Sequence, residues 1–150
     1  MKYEILTRGG AKFWHPSATA DQVESAFGMR AVHRHSVGDL RLRGDRSPYS
    51  ETYCAFDLVD MSLRDAEDTV SACLIELKSR KEEVSKLIDS GGKFWLIVKV
   101  YSEDILQFSF EWQILSQLSA ERAGLVFEFY SNANQIVPGE PQQGPSDSMA

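Results

Sequence analysis

A Gly-Gly dipeptide that leads into Lys-Phe-Trp occurs twice in this chain, at residues 9–14 with one alanine inserted and again at residues 91–95. Paired glycines favour turns and bulges, and the aromatic residues that follow them favour a β-strand. Each strand precedes an amphipathic helical stretch that ends at glycine. The repeat therefore predicts a small α+β domain with two similar strand–helix halves, although it contains no group that could carry out a reaction.

Hydrophobic periodicity predicts the order β-α-β-α-β-α-β between residues 3 and 130. Thr19 followed by Gln22 forms a capping-box pattern at the first helix, and Gly28 suits the position after its end. A long amphipathic helix is predicted from residue 63 to residue 88, followed by a strand that is buried on both faces. We expect a mostly antiparallel sheet with helices packed on one face, in a ferredoxin-like arrangement whose β-α-β halves are joined by the long helix.

Three segments lack a clear pattern. The first Gly-Gly either lies within a strand that continues past it or closes a hairpin. Residues 29–50 have little periodicity and are predicted to form a long loop with a short strand at Leu40–Arg43, and loops of this length are often functional. Residues 132–150 are rich in proline, glycine and polar residues, so we expect a disordered tail after a single domain that spans residues 1–131.

The composition is typical of a soluble globular protein. The chain has 150 residues, of which 43% are hydrophobic, and this is enough for one domain with a substantial core. It contains no apolar run of the roughly 18 residues that a membrane span needs. Glu4 and Arg8 also interrupt the region where a signal peptide would be apolar. We therefore expect a cytoplasmic protein in which Cys54 and Cys73 are buried free thiols.

Charge is distributed unevenly along the chain, whose net charge is −6. Residues 30–46 contain five arginines and two aspartates, a net charge of +3, whereas residues 57–68 contain five acids and one arginine, a net charge of −4. The two segments either pair with each other or form separate binding surfaces. The candidate residues for a basic protein partner are Asp57, Asp60, Asp65, Glu67 and Asp68, and those for an anion are Arg34, Arg41, Arg43 and Arg46.

The remaining polar residues form no pattern that is typical of catalysis. His33 and His35 make an H-x-H step, but a transition-metal site needs three or four ligands and only one carboxylate lies close to them in the sequence. His15 is expected to be a structural or a surface residue at a strand end. Asp57 and Asp60 have an odd spacing on a strand, which predicts opposite faces. We therefore predict no catalytic residues, no metal ligands and no cofactor.

The order and spacing of these elements resemble those of a bacterial family of domains of unknown function, family 4279. The matching features span residues 3–131 and are the His15-Pro16 step, Gly28 after a short helix, Val37-Gly38-Asp39, the strand Ser50-Glu51-Thr52-Tyr53-Cys54, Ser90-Gly91-Gly92, and Ala123-Gly124-Leu125 before a strand that ends at Tyr130. The family often has a tryptophan close to the position of Cys54, and this departure concerns packing. The resemblance implies no settled activity and no agreed catalytic residues. The chain is also similar to the small acidic proteins that are encoded in bacterial toxin–immunity neighbourhoods.

Together these observations predict a non-catalytic binding protein. Small size, acidity and the context that the resemblance implies favour an immunity-type protein that neutralises a bacterial toxin by direct contact, with the acidic segment 57–68 facing a basic toxin surface. The alternative is a regulatory module that binds an anion, a nucleotide or RNA through residues 30–46. The net acidity argues against general nucleic-acid binding, and no membrane partner is expected.

Overall fold

In the computed structural model, which describes residues 5–104 and 106–131, four α-helices accompany a single sheet of five strands. The strands are β1 (Leu6–His15), β2 (His33–His35), β3 (Thr52–Leu63), β4 (Lys93–Tyr101) and β5 (Ala123–Tyr130). The helices are α1 (Ala20–Phe27), α2 (Ala66–Glu76), α3 (Lys81–Asp89) and α4 (Trp112–Ala120), with a 3₁₀ turn at Lys78–Arg80 between α2 and α3. The tail predicted at residues 132–150 lies outside the described residues.

The sheet has the strand order β2-β3-β1-β4-β5, with β1 at its centre. β1 is antiparallel to both β3 and β4, β2 is antiparallel to β3, and β5 is parallel to β4. The first four strands therefore form two interlocked β-α-β units, because β3 lies between β1 and β2, and β1 lies between β3 and β4. This confirms the expected α+β fold with a mostly antiparallel sheet, to which α4 and β5 are added.

The two halves of the fold have different boundaries from those in the prediction. The helical region that follows β3 is the crossover within the second β-α-β unit, so it does not join two halves. The two copies of the repeated sequence belong to neighbouring strands, where Phe13 of β1 pairs with Phe94 of β4. The repeat therefore marks the two adjacent strands at the middle of the sheet.

The first Gly-Gly lies inside a continuous strand, opposite a bulge in β3, and does not form a hairpin. β1 runs through both glycines, and its pairing with β3 shifts register on either side of Gly9. Gly9 pairs with Val59 and Gly10 pairs with Asp57, so Leu58 is an extra residue in β3. An extra residue of this kind bends the strand that carries it and interrupts its alternation.

Close approach of neighbouring atoms explains why both β1 residues opposite the bulge are glycine. A Cβ on Gly9 would collide with the Sγ of Cys73 in α2 and would lie 3.1 Å from a methyl group of Thr69. A Cβ on Gly10 would lie 2.6 Å from the carbonyl oxygen of Phe56 in β3. The central strand therefore lets α2 and β3 approach its backbone directly.

The core lies between the helices and one face of the sheet, which we call the helix face; we call the other the open face. Burial alternates along β1 because successive side chains of a strand point to opposite faces. Four phenyl rings occupy the middle of the helix face. Phe27 of α1 stacks on Phe56 with ring centroids 4.4 Å apart, and meets Phe13 and Phe94 edge-on at 5.4 and 5.8 Å. Phe27 therefore joins α1 to three strands.

Helix boundaries follow local sequence signals in part. Thr19 and Gln22 form the predicted capping box at α1, and Gly28 ends this helix with φ at 69°, a region that favours glycine. The long helix predicted at residues 63–88 is instead divided into α2 and α3 by the 3₁₀ turn at Lys78–Arg80. This break lets α2 cover β1 and β4 while α3 packs against α1.

Residues 29–50, predicted to be a long loop, contain β2 and a hydrogen-bonded turn. The strand predicted at Leu40–Arg43 is wrong, since the structure has only a single bridge there, from Leu40 to Pro48. Backbone hydrogen bonds connect Tyr49 to residues 38 and 39 at 2.9 Å each. The segment therefore folds back on itself beside the end of the sheet.

Replacing Phe27 by alanine should lower the free energy of unfolding by about 3–5 kcal/mol, because it removes a buried ring that contacts three strands. Chemical denaturation measures this loss. The control is Leu42→Ala, since Leu42 is 92% exposed and its truncation should change the free energy by no more than about 0.5 kcal/mol. Equal losses in the two variants would contradict this description of the core.

Candidate binding surface

Two acidic segments that are far apart in the sequence meet at one end of the sheet. Leu6 of β1 pairs with Leu63 at the end of β3 and with Tyr101 at the end of β4, so the chain leaves both strands at the same end. A 2.6 Å hydrogen bond from the Glu111 N–H to the Glu67 carboxylate ties the segment before α4 to the first turn of α2. We call this region the acidic end; it comprises Asp60, Asp65, Glu67, Asp68, Glu103, Asp104 and Glu111, and its segments contain one cation, Arg64.

Most of the acids predicted as partner-binding residues have contacts within the chain, and three of these contacts stabilise strand or helix ends. Asp57 forms an ion pair with Arg8 at 2.9 Å. Asp65 caps α2 by accepting the N–H of Asp68 at 2.8 Å, and Glu67 accepts the backbone hydrogen bond described above. These carboxylates stabilise the strand and helix ends in addition to giving this end its negative charge.

Three further carboxylates of the acidic end are exposed to solvent. Asp60, Glu103 and Asp104 are exposed, and within residues 5–104 and 106–131 their carboxylates form no hydrogen bond or ion pair. Sequence reasoning missed Glu103 and Asp104. Their position directly after a predicted central strand is the signal that could have placed them at an end of the sheet. Leu63 lies at the same end with 58% of its surface exposed, so an apolar side chain adjoins these charges.

Asp57 and Asp60 lie on the same face of β3, so the prediction of opposite faces was wrong. Val59 pairs with Gly9 on the helix face, and both aspartates are exposed. The extra residue Leu58 shifts the alternation between them. The pair is not typical of a shared catalytic site, because Arg8 neutralises Asp57.

The structure places the four candidate anion-binding arginines in different surroundings. Arg34 of β2 pairs with Asp21 and Glu24 of α1. The Arg41 guanidinium lies over the ring of Tyr49, 4.7 Å from its centroid, while Arg43 and Arg46 are exposed in the turn. Among the described residues, no ion pair joins segment 30–46 to segment 57–68. Arg34 is therefore held by α1, and the three turn residues remain candidates.

A row of stacked groups attaches this turn to the open face. Arg41 stacks on Tyr49, and Tyr49 stacks on His35 with centroids 3.5 Å apart. His35 in turn meets Tyr53 at 5.7 Å, and Tyr53 meets Trp14 of β1 at 5.3 Å. Burial lowers the pKa of His35, which favours the neutral ring in this row. Because neighbouring rings cover one another, the row mainly holds the turn against the sheet.

His15 is a buried structural residue, which is one of the two roles that the sequence left open. Its Nδ1 accepts the N–H groups of Ser17 and Ala18 at 3.1 and 2.8 Å, and its Nε2 lies 2.8 Å from the Ser90 hydroxyl. Accepting at Nδ1 requires the neutral ring with its proton on Nε2, which then donates to Ser90. Burial lowers the pKa of His15 and so favours this neutral form. The ring thereby joins the end of β1 to the end of α3.

Both cysteines are free and buried, as predicted. Burial raises the pKa of Cys54 to about 11 and that of Cys73 to about 12. The thiolate is the reactive form of cysteine, and it is disfavoured at neutral pH in both residues. Their role in this structure is packing against the sheet and α2.

Clusters of His, Cys, Asp and Glu side chains and internal cavities are the other places where a metal ion or a small molecule could bind. In the two described ranges, no group of three or more of these residues could hold a metal ion. A cavity of about 40 Å³ beside α3 and β4, lined in part by Leu77, Val84 and Phe94, has room for about one water molecule. In the same part of the chain, no helix is both long and apolar enough to cross a membrane.

No family model, curated protein or solved structure matches this chain. The resemblance to family 4279 therefore stays a prediction. The surface itself supplies the basis for a functional proposal.

Replacing His15 by alanine should lower the free energy of unfolding by about 1–3 kcal/mol, because two backbone N–H groups lose their acceptor. The substitution should also change how the free energy of unfolding depends on pH. The pKa of His15 is lower in the folded than in the unfolded state, so its contribution is present above about pH 6.5 and is lost as the pH falls through the folded-state value.

Chemical denaturation at about pH 7 and about pH 5 checks both effects. Between these two pH values, the free energy of unfolding should fall less in His15→Ala than in the original chain. His33→Ala is the control, because His33 is exposed on β2. A His15 variant with the original stability and pH dependence would contradict the assigned hydrogen bonds.

Proposed function

We propose that this chain is a non-catalytic binding protein, most concretely an immunity-type protein that neutralises a bacterial toxin by direct contact. In this proposal the acidic end receives a basic surface of the toxin. The observation that carries the proposal is the convergence of residues 60–68 with residues 103, 104 and 106–111 at one end of the sheet. The context implied by the resemblance to family 4279 supports a toxin as the partner.

The carboxylates of the acidic end divide into two groups. Asp65 and Glu67 accept backbone N–H groups and lie at the N-terminus of α2, where the helix dipole favours negative charge. Asp60, Glu103 and Asp104 have no contact of this kind in the described part of the chain. A lysine or arginine of a partner could pair with these three without breaking a bond that holds the fold together.

The charge of this surface favours rapid and selective association with a basic protein. Exposed charges steer the encounter of two proteins, and they act over about 8 Å at physiological ionic strength. They contribute more to the association rate than to the lifetime of a complex. Leu63 adjoins these charges and offers an apolar contact to a partner. Protein interfaces commonly combine a buried apolar centre with a polar rim.

This proposal refines the set of contact residues predicted from the sequence. Direct contacts are assigned to Asp60, Leu63, Glu103 and Asp104. The other acids of segment 57–68 contribute to the field at this end while holding strand and helix ends in place.

Reversing three charges in the variant Asp60→Lys, Glu103→Lys, Asp104→Lys should slow association with the toxin encoded beside the gene by about 10- to 1,000-fold at low salt, because attraction becomes repulsion. The measurements are copurification after coexpression, the association rate at several salt concentrations, and protection of cells that express the toxin.

The matched control reverses three exposed acids elsewhere, Glu76→Lys, Glu82→Lys and Glu83→Lys, which changes the net charge equally. The control should retain binding and protection almost unchanged. The proposal is overturned when the original chain neither copurifies with the toxin nor protects, or when both triple variants lose binding to the same extent.

A further inference from the structure

β5 forms an edge of the sheet that lacks the usual protection of edge strands. Its eight residues pair with β4 in one unbroken parallel register, and in the described part of the chain nothing pairs with its outer side. Natural edges are protected by short length, bulges, proline, outward lysines or inward-pointing charges. β5 has eight residues without a bulge, proline or lysine, and its one charge, Glu128, is paired with Lys12, whereas β2 at the opposite edge has only three residues.

The only charged residue of β5 is directed away from the outer edge. The Glu128 carboxylate accepts the Tyr130 hydroxyl at 2.7 Å and lies 3.5 Å from the Lys12 ammonium group of β1. Lys12 lies two strands away from β5, so the Glu128 side chain reaches inward over the open face. No charge on this strand would therefore repel another strand that approaches the edge.

Apolar side chains on the helix face border the same edge. Phe129 of β5 is 62% exposed, and it belongs to an aromatic group in which Phe108 lies 5.4 Å from Phe127 and 6.0 Å from Phe129. Trp112 and Leu115 of α4 are 70% and 51% exposed. Since α4 packs against β5, these exposed side chains and Phe129 form an apolar margin that accompanies the open strand edge, a combination that marks an interaction surface.

We infer that the occupant of this edge is a second copy of the chain, and that two β5 strands pair antiparallel around a twofold axis perpendicular to the sheet. This symmetry continues the sheet through both copies and keeps all helices on one side, so the apolar margins of the two copies meet. Such an interface is isologous, because the same residues contribute from each copy.

The β5 sequence is complementary to itself in this arrangement. A twofold axis between the two β5 strands, perpendicular to the sheet, pairs residues whose side chains lie on the same face. With the axis at Val126, Glu128 lies opposite Gly124 of the second copy, and with the axis at Phe127 it lies opposite Val126 of the second copy. In both registers like charges do not meet, and the side chains that pair on the helix face are Ala123, Leu125, Phe127 and Phe129.

Light scattering coupled to size-exclusion chromatography tests this inference directly. At about 100 μM the original chain should have twice the 16.9 kDa mass of one copy, and the mass should fall on dilution. Phe129→Lys and, separately, Trp112→Arg should give the mass of one copy, because each puts a charge into the apolar margin. Ile75→Lys is the matched control, since Ile75 of α2 is 70% exposed and lies outside this margin, and it should remain dimeric.

Amide hydrogen exchange provides a second measurement. The outward N–H groups of β5 should exchange slowly in the original chain at high concentration and faster in Phe129→Lys, while far-UV circular dichroism shows that the variant remains folded. A single-copy mass of the original chain at about 100 μM, which is also the result expected if another segment of the chain covers the edge, overturns the inference. A dimer that persists in both margin variants overturns it as well.

Discussion

The direct approach of α2 to the backbone of β1 at Gly9 is the constraint on which the rest of the structure depends. No side chain separates the central strand from Cys73 and Thr69 of α2 at this point. On the β3 side, the Phe56 carbonyl oxygen approaches Gly10 equally closely. β1 can therefore lie at the middle of the sheet, paired on both sides, with a helix directly above it.

This close approach also positions the proposed binding surface. Because α2 is fixed over Gly9, its first turn lies at the end of the sheet where β3 ends, and there Glu67 binds the backbone of Glu111. The bulge at Leu58 brings Asp57 and Asp60 to one face. Packing at the centre of the domain thus determines which carboxylates meet at its acidic end.

The ionisable groups inside the domain and those on its surface have separate roles. Burial keeps His15 neutral and the two thiols protonated, and each of these groups contacts the core or backbone. Asp60, Glu103 and Asp104, which have no partner in the described residues, are at the surface near the exposed Leu63. The exposed charges of the acidic end are therefore separate from the buried ionisable groups.

Local signals in the sequence were sufficient for much of the fold. The capping box at Thr19, the glycine after α1 and the strand at Lys93–Tyr101 depend on neighbouring residues, and the structure confirms them. The predicted burial of this strand on both faces is wrong at its start, because Lys93 and Trp95 on the open face are exposed. β2 could not be predicted, because its three polar residues become a strand only by pairing with β3. The division of the long helix likewise depends on the packing of α3 against α1.

The binding surface was less accessible to sequence reasoning, for a physical reason. The acidic segment 57–68 was evident from composition, but its meeting with Glu103 and Asp104 depends on the register of three strands. The predicted separation of Asp57 from Asp60 assumed strict alternation, and a bulge breaks that alternation. Contacts between distant segments of this kind are properties of the folded chain.

A double-mutant cycle between Gly9 and Cys73 tests the central constraint most directly. Chemical denaturation gives the free energies of unfolding of the original chain, Gly9→Ala, Cys73→Ala and the double variant. Gly9→Ala alone should be destabilising, because the new methyl group meets the Cys73 Sγ, and removing this sulfur should relieve part of the loss. We expect the double variant to be more stable than the sum of the single changes predicts, with a coupling of about 0.5–3 kcal/mol. Strict additivity, or a Gly9→Ala variant as stable as the original chain, would contradict the account.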